Sequence, residues 1–176
     1  HSEILLAGRN GRCCRFDESD ARALGRTASG VRGINIEEDD EVVGMITYDP
    51  TAEDAAAHSI LVVSENGFGK RSDFDEYRKT NRGGKGVKTL NITEKTGALV
   101  AMKNVTDEND LMIINKSGLT IRMAVSDIRV AGRATQGVKL INIKEGDSIA
   151  AISAVNKSEE ETPVQPAEQV NEENNE

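Results

Sequence analysis

The chain has 176 residues, of which 37% are apolar and 3% aromatic, with no Trp and a formal net charge of −8. This length suits one domain, or part of a larger one, plus a tail, and the apolar content suits small sheets packed on one another rather than one large core. No run of about 18 apolar residues is present to cross a membrane as a helix, and the first residues show neither the basic nor the long apolar region of a secretory signal.

The first expected strand is the apolar run Ile4–Ala7, ending at Asn10-Gly11. Asn-Gly tolerates positive φ at both positions, which predicts a type I′ hairpin turn. The return strand, about Arg12–Phe16, carries the adjacent pair Cys13 and Cys14. Neighbouring strand residues point to opposite faces, so these two are expected to be free, buried thiols rather than a disulfide or metal clip. A long loop, Asp17–Ser29, leads to a third expected strand, Gly30–Ile36. An acidic turn, Glu37–Asp40, leads to a fourth, Glu41–Ile46, and a polar, Ala-rich linker follows. The pattern then recurs, with first strands at Ile60–Val63 and Leu111–Ile114 and last strands at about Ala98–Met102 and Ser148–Ile152. Sustained 3.6-residue apolar periodicity is absent, so helix content is expected to be low.

Three segments align without gaps at offsets of 56 and 51 residues. Arg15 matches Arg71 and Arg122, Arg22 matches Arg78 and Arg129, and Arg26 matches Arg82 and Arg133. Gly30-Val31-Arg32 matches Gly86-Val87-Lys88 and Gly137-Val138-Lys139. A four-stranded unit every 50 residues or so predicts an all-β, propeller-like fold of antiparallel blades. The expected organisation is blade repeat one over 1–48, a linker over 49–59, repeat two over 60–104, repeat three over 105–155 and a disordered acidic tail over 156–176. The tail holds seven Glu against one Lys, a net of −6, which leaves −2 on the other 155 residues. Three blades are too few for a closed ring, which takes about four to eight.

Cations gather in the loop before the third strand of each repeat. Repeat one has Arg22, Arg26 and Arg32, and repeat three has Arg129, Arg133 and Lys139. Repeat two is richest, with Lys70, Arg71, Arg78, Lys79, Arg82, Lys85 and Lys88. A blade fold places equivalent loops on equivalent edges, so these residues are expected to form one basic band, with the acids elsewhere. Such a band suits a bent polyanion backbone. In Asn81-Arg82-Gly83-Gly84-Lys85-Gly86, glycines without Cβ atoms would let backbone N–H groups approach phosphates. The loop lacks the G-x-x-x-x-G-K-[ST] pattern of a nucleotide-binding loop. No Ser/His/Asp set or metal cluster stands out, and Tyr48 and Tyr77 are poorly placed for strand cleavage, so no catalytic residue and no cofactor is expected in this chain.

These loops resemble one family. Gly25–Gly33, Tyr77–Gly86 and Ile128–Lys139 are similar to the blade repeats of the DNA gyrase A C-terminal domain, and the likeness covers about residues 3–155. The resemblance implies a β-pinwheel whose blades exchange strands and whose basic rim bends DNA, with this chain holding the last three blades and the tail. It further implies double-stranded DNA as partner, sequence-independent wrapping in support of negative supercoiling, and a bacterial cytoplasmic location. The protein partners would be the gyrase B subunit and the rest of gyrase A, with ATP and Mg used elsewhere in an ATP-dependent type II topoisomerase. The family's glycine-rich box, Gln-Arg-Arg-Gly-Gly-Lys-Gly, is met here only by Thr80-Asn81-Arg82-Gly83-Gly84-Lys85-Gly86. The A subunit of a topoisomerase IV is therefore the alternative within the wider group. A protein-interaction propeller is the alternative outside it, and it would need aromatic or apolar hot spots on the exposed surface, for which this chain has almost no aromatics.

Overall fold

A computed structural model describes residues 1–157. The expectation of a disordered acidic tail falls on residues beyond these and so lies outside the described part. Three antiparallel sheets follow one another along the chain. Repeat one supplies β1 (Glu3–Gly8), β2 (Arg12–Asp17) and β3 (Val42–Tyr48). Repeat two supplies β4 (Ser59–Ser64), β5 (Phe68–Ser72), β6 (Val87–Lys88) and β7 (Leu99–Val105). Repeat three supplies β8 (Asn109–Asn115), β9 (Thr120–Ala124), β10 (Val138–Lys139) and β11 (Ile149–Asn156). Among the described residues the helical turns are four 3-10 segments of three residues each.

The sheets do not coincide with the repeats. The first has the order β3-β1-β2-β6 and the second β10-β5-β4-β7, so each takes its last strand from the following repeat. The third sheet, β11-β8-β9, has three strands. The expected strand Gly30–Ile36 is not formed. Its counterparts β6 and β10 are two-residue strands that pair with β2 and β5 of the preceding repeat, as Cys13↔Val87 and Gly69↔Val138. A strand needs a partner edge to satisfy its backbone groups, and among the described residues no repeat stands before the first.

The hairpin turns also differ from expectation. No described residue other than glycine has positive φ, which excludes type I′. The Gly11 N–H donates to the Gly8 carbonyl at 3.0 Å, and Gly11 itself lies at φ 83°. This is the three-residue loop in which a glycine bulge follows a type I turn. Asn10 acts through its side chain, which accepts from the Arg12 N–H at 3.1 Å.

β1, β4 and β8 are middle strands of their sheets, and β3, β7 and β11 pack near one another on the inner side. A Cβ at Gly44 of β3 would lie 2.9 Å from Met102 Cβ of β7, so the inner strands pack at backbone distance. The edge occupied by β6 and β10 is therefore the outer one. Two apolar layers fill the gaps between sheets. Leu5, Ala7 and Cys13 meet Ile60, Val62 and Leu90 in the first. Leu61 and Val63 meet Leu111, Ile113 and Ile141 in the second. Both cysteines are free and buried, Cys13 in the first layer and Cys14 on the opposite face.

Candidate nucleic-acid interface

The predicted cations separate by register. Arg22, Arg78 and Arg129, which follow the 3-10 turn of each repeat, are all exposed. Arg32, Lys88 and Lys139 are exposed as well, the last two on the outer strands β6 and β10. Arg26 and Lys85 are also exposed. Arg78 and Lys85 line one cleft of about 290 Å³ between β2 and the Thr80–Gly86 loop. Arg129 lines its equivalent between β5 and the Gly132–Gly137 loop, about 210 Å³. The acidic turn lies at the hairpin tip instead, where the Asp40 carboxylate accepts from the Asn10 N–H at 3.0 Å.

Other cations are held. Lys79 is exposed but paired, with its Nζ 2.9 Å from Asp17 and 3.4 Å from Glu3. The Lys79 ammonium and the Ser19 N–H and hydroxyl hold the Asp17 carboxyl down to about 2, from an ordinary 3.8. A carboxylate depressed in this way favours the folded state above the ordinary value, and its contribution fades as pH falls through about 2. In Lys79→Ala, Asp17 should titrate nearer 3.8, as read by NMR of its carboxyl carbon. An unchanged value would mean that Ser19, with the His1 ring nitrogen 2.7 Å from the carboxylate, holds the charge without Lys79.

Arg82 and Arg133 are latches. Arg82 donates from Nε to the Asp20 carbonyl (2.9 Å) and from Nη1 to the Arg32 carbonyl (3.0 Å). Arg133 donates to the equivalent Glu76 carbonyl at 3.0 Å and to the Lys88 carbonyl. Each ties its loop back to the preceding repeat.

Lys70 and Arg71, expected in the basic band, are buried inside the fold. Both faces of the middle sheet are covered, so β5 has no solvent side and every residue in it is buried. Lys70 Nζ donates to the carbonyls of Gly132 (2.7 Å), Thr135 (2.9 Å) and Arg133. Burial pulls its ammonium down to about 8, so it remains charged at neutral pH. Arg71 donates to the Ile128 carbonyl at 2.9 Å and pairs with Asp107 at 2.6 Å. Arg15 is its equivalent: it pairs with Glu3 and donates to the carbonyls of Phe74 (2.7 Å) and Tyr77 (2.9 Å). The recurrence of this arginine is visible in the sequence, but its clamping role is not. Tyr77 is buried, and its hydroxyl bonds Thr89. Burial raises its pKa, so it is poorly placed as a nucleophile.

The sequence profile described as "DNA gyrase C-terminal domain, beta-propeller" matches residues 2–49, 58–106 and 109–156. The DNA gyrase A subunit of Staphylococcus epidermidis (strain ATCC 12228 / FDA PCI 1200) is 44% identical over 160 residues, covering 91% of this chain and 18% of that protein. That of Staphylococcus aureus (strain MRSA252) is 44% identical over 159 residues, covering 90% of this chain and 18% of that protein. The chain thus spans less than a fifth of the length of these curated relatives. A solved DNA gyrase A C-terminal domain superposes with a TM-score of 0.77 at 22% identity, covering 87% of this chain and 50% of the other. A solved C-terminal domain of DNA topoisomerase IV superposes at 0.79 with 24% identity, covering 88% and 47%. At such identities the superpositions speak for the fold alone, while the profile covers all three repeats: the chain belongs to the DNA gyrase C-terminal domain family.

Proposed function

We propose that this chain binds double-stranded DNA through its phosphates, without regard to sequence, and bends it along the outer edge of the blades. One observation carries the reading: the Arg22/Arg78/Arg129 and Arg32/Lys88/Lys139 positions are exposed cations in all three repeats. Among the described residues none of these six makes an ion pair, so each is free to meet a phosphate. Phosphate contacts give affinity without sequence information, and the cost of bending is offset by the length of DNA held. Within the complete gyrase, this wrapping would present DNA for negative supercoiling, beside the gyrase B subunit and with the ATP and Mg that the whole enzyme uses in the bacterial cytoplasm. The 44% identity to gyrase A subunits favours gyrase over topoisomerase IV, between which the superpositions do not discriminate.

Replacing Arg78, Lys88, Arg129 and Lys139 with Gln should weaken binding to unrelated duplexes about equally. The slope of log affinity against log salt should shrink by roughly 0.9 for each phosphate no longer neutralised. Fluorescence anisotropy at several salt concentrations measures both. A loss confined to one sequence would mean base readout and overturn the reading.

A further inference from the structure

Three lysines meet between repeats two and three, at the hairpin-tip end of the blades. Lys95, Lys139 and Lys144 line one cleft of about 270 Å³. They come from three segments that are each fixed in place. The turn of Lys95 is tied to the β4–β5 hairpin by Asn66, whose side chain donates to the Glu94 and Lys95 carbonyls, both at 3.3 Å, and whose N–H donates to the Thr96 carbonyl at 3.0 Å. Lys139 lies opposite Phe68 across the β10–β5 pairing. The Lys144 carbonyl accepts from the Asp147 N–H at 3.0 Å. The buried Phe68 ring draws two of the ammoniums to one place: Lys95 Nζ and Lys139 Nζ stand 5.4 and 5.9 Å from its centre, within the range of cation–π attraction. All three lysines are exposed, and among the described residues none makes an ion pair. Of the two carboxylates on the cleft, Glu145 is likewise unpaired, and Asp147 accepts from the Ser117 N–H and hydroxyl and from the Ser148 N–H. Ammoniums gathered in this way repel one another, and a bound anion relieves the repulsion.

Repeat one is the opposite at the same registers. Glu37, Glu38 and Asp40 stand where repeat three has Lys144, Glu145 and Asp147, and Asp39 stands where repeat two has Lys95. With Glu41 they make five consecutive acids, and all but Asp40 are fully exposed. The hairpin-tip end is thus acidic at repeat one and lysine-rich between repeats two and three, although the exposed cations of the outer edge recur equally in all three repeats.

We propose that the Lys95/Lys139/Lys144 cleft takes phosphates of the duplex, so that the duplex crosses the outer edge at a slant. It leans toward the hairpin tips between repeats two and three and away from them at repeat one. This rests on the chain binding duplex DNA through its phosphates, and it says where on the edge the duplex lies. Lys139 belongs to both the cleft and the recurring outer row, so the two surfaces are continuous. Lysine ammoniums are compact charges on flexible stems and suit phosphates of any sequence. The acids of repeat one act on the duplex only within about 8 Å at physiological salt, which is short enough to tilt it locally without expelling it from the edge.

Two measurements on the 176-residue chain test the slant. Lys95→Gln with Lys144→Gln should lower the slope of log affinity against log salt by roughly 0.9 for each phosphate lost, one or two in all, with an unchanged circular dichroism spectrum because both side chains are exposed. Glu38 and Glu145 share one register and are both exposed, so a photoactivatable aryl azide on Glu38→Cys or on Glu145→Cys compares the two places directly. Cys13 and Cys14 are buried and stay unlabelled. The duplex should cross-link to the Glu145→Cys protein and not to the Glu38→Cys protein. Equal cross-linking would mean a level path, and cross-linking at neither would mean that the duplex misses the cleft; either overturns the proposal. So would an unchanged salt slope in the double variant of a chain that binds duplex, or saturable binding of inorganic pyrophosphate that depends on Lys95 and Lys144 while duplex affinity does not. A parent chain that binds no duplex at any salt concentration would remove the phosphate-binding reading itself, and the slant with it.

Discussion

Lys70→Met should lower the unfolding free energy by about 3 kcal/mol, read as a shift of the urea midpoint at unchanged slope. Methionine keeps most of the apolar stem but removes the donor that serves the Gly132, Arg133 and Thr135 carbonyls. A buried acceptor left without a donor costs about 1–3 kcal/mol. Gly132 and Thr135 lie in a loop near the surface, so water replaces part of what is removed and the three costs do not simply add. Removing the ammonium also removes its own desolvation penalty, which limits the total further. Lys85→Met is the matched control. Lys85 is exposed, so its stability change should stay within about 0.5 kcal/mol. DNA binding should divide the pair the other way, with the salt slope lowered by the change at Lys85 and kept by that at Lys70. A Lys70→Met protein as stable as the parent would mean that the loop carbonyls find water without cost.

Gly86→Ala should destabilise the chain by about 3 kcal/mol, while Gly30→Ala should cost only about 1 kcal/mol. Both glycines lie near φ +80°, where an L-residue loses about 1–2 kcal/mol to the conformation alone. Only at Gly86 does the added Cβ also meet backbone, 2.5 Å from the Cys13 carbonyl oxygen. Cys13 is in the hydrogen-bonded middle of the first sheet and cannot retreat without opening the β2–β6 pairing. Overpacking of this kind adds about 1–3 kcal/mol. Urea denaturation of the two variants compares them. Equal costs would mean that the strand-exchange contact adjusts freely.

The alignment at offsets of 56 and 51 residues carries most of the architecture, because any equivalence in sequence becomes an equivalence of place in a repeating fold. The ownership of the third strand is not legible in this way. Val87-Lys88 follows Lys70-Arg71 in the chain whether it pairs with its own repeat or with the one before, and apolar patterning is the same in both cases. The Asn10-Gly11 pair is likewise compatible with two turns, and the choice shows only in the sign of φ at Asn10. Within the basic band, charge alone does not distinguish a cation that faces water from one that serves carbonyls. Arg78 and Arg82 are four residues apart in one loop, yet one is exposed and the other is bound to Asp20 and Arg32. Lys70 and Arg71 escape the sequence for a related reason: in a sheet covered on both faces, alternation has no wet side to mark. The buried cations turn out to join the repeats, and the exposed ones line their outer edge.

Strand exchange also sets a schedule. The first sheet cannot be completed by its own repeat, since Arg12 must wait for a partner 74 residues further on, at Gly86. At roughly 5–20 residues per second of synthesis, that wait lasts about 4–15 s. During it, β2 presents an open edge to everything near the ribosome, and each new repeat closes the edge behind it while exposing its own. Folding therefore trails translation by more than one repeat, and a nascent chain is never without one unfinished sheet until its last strand has a partner.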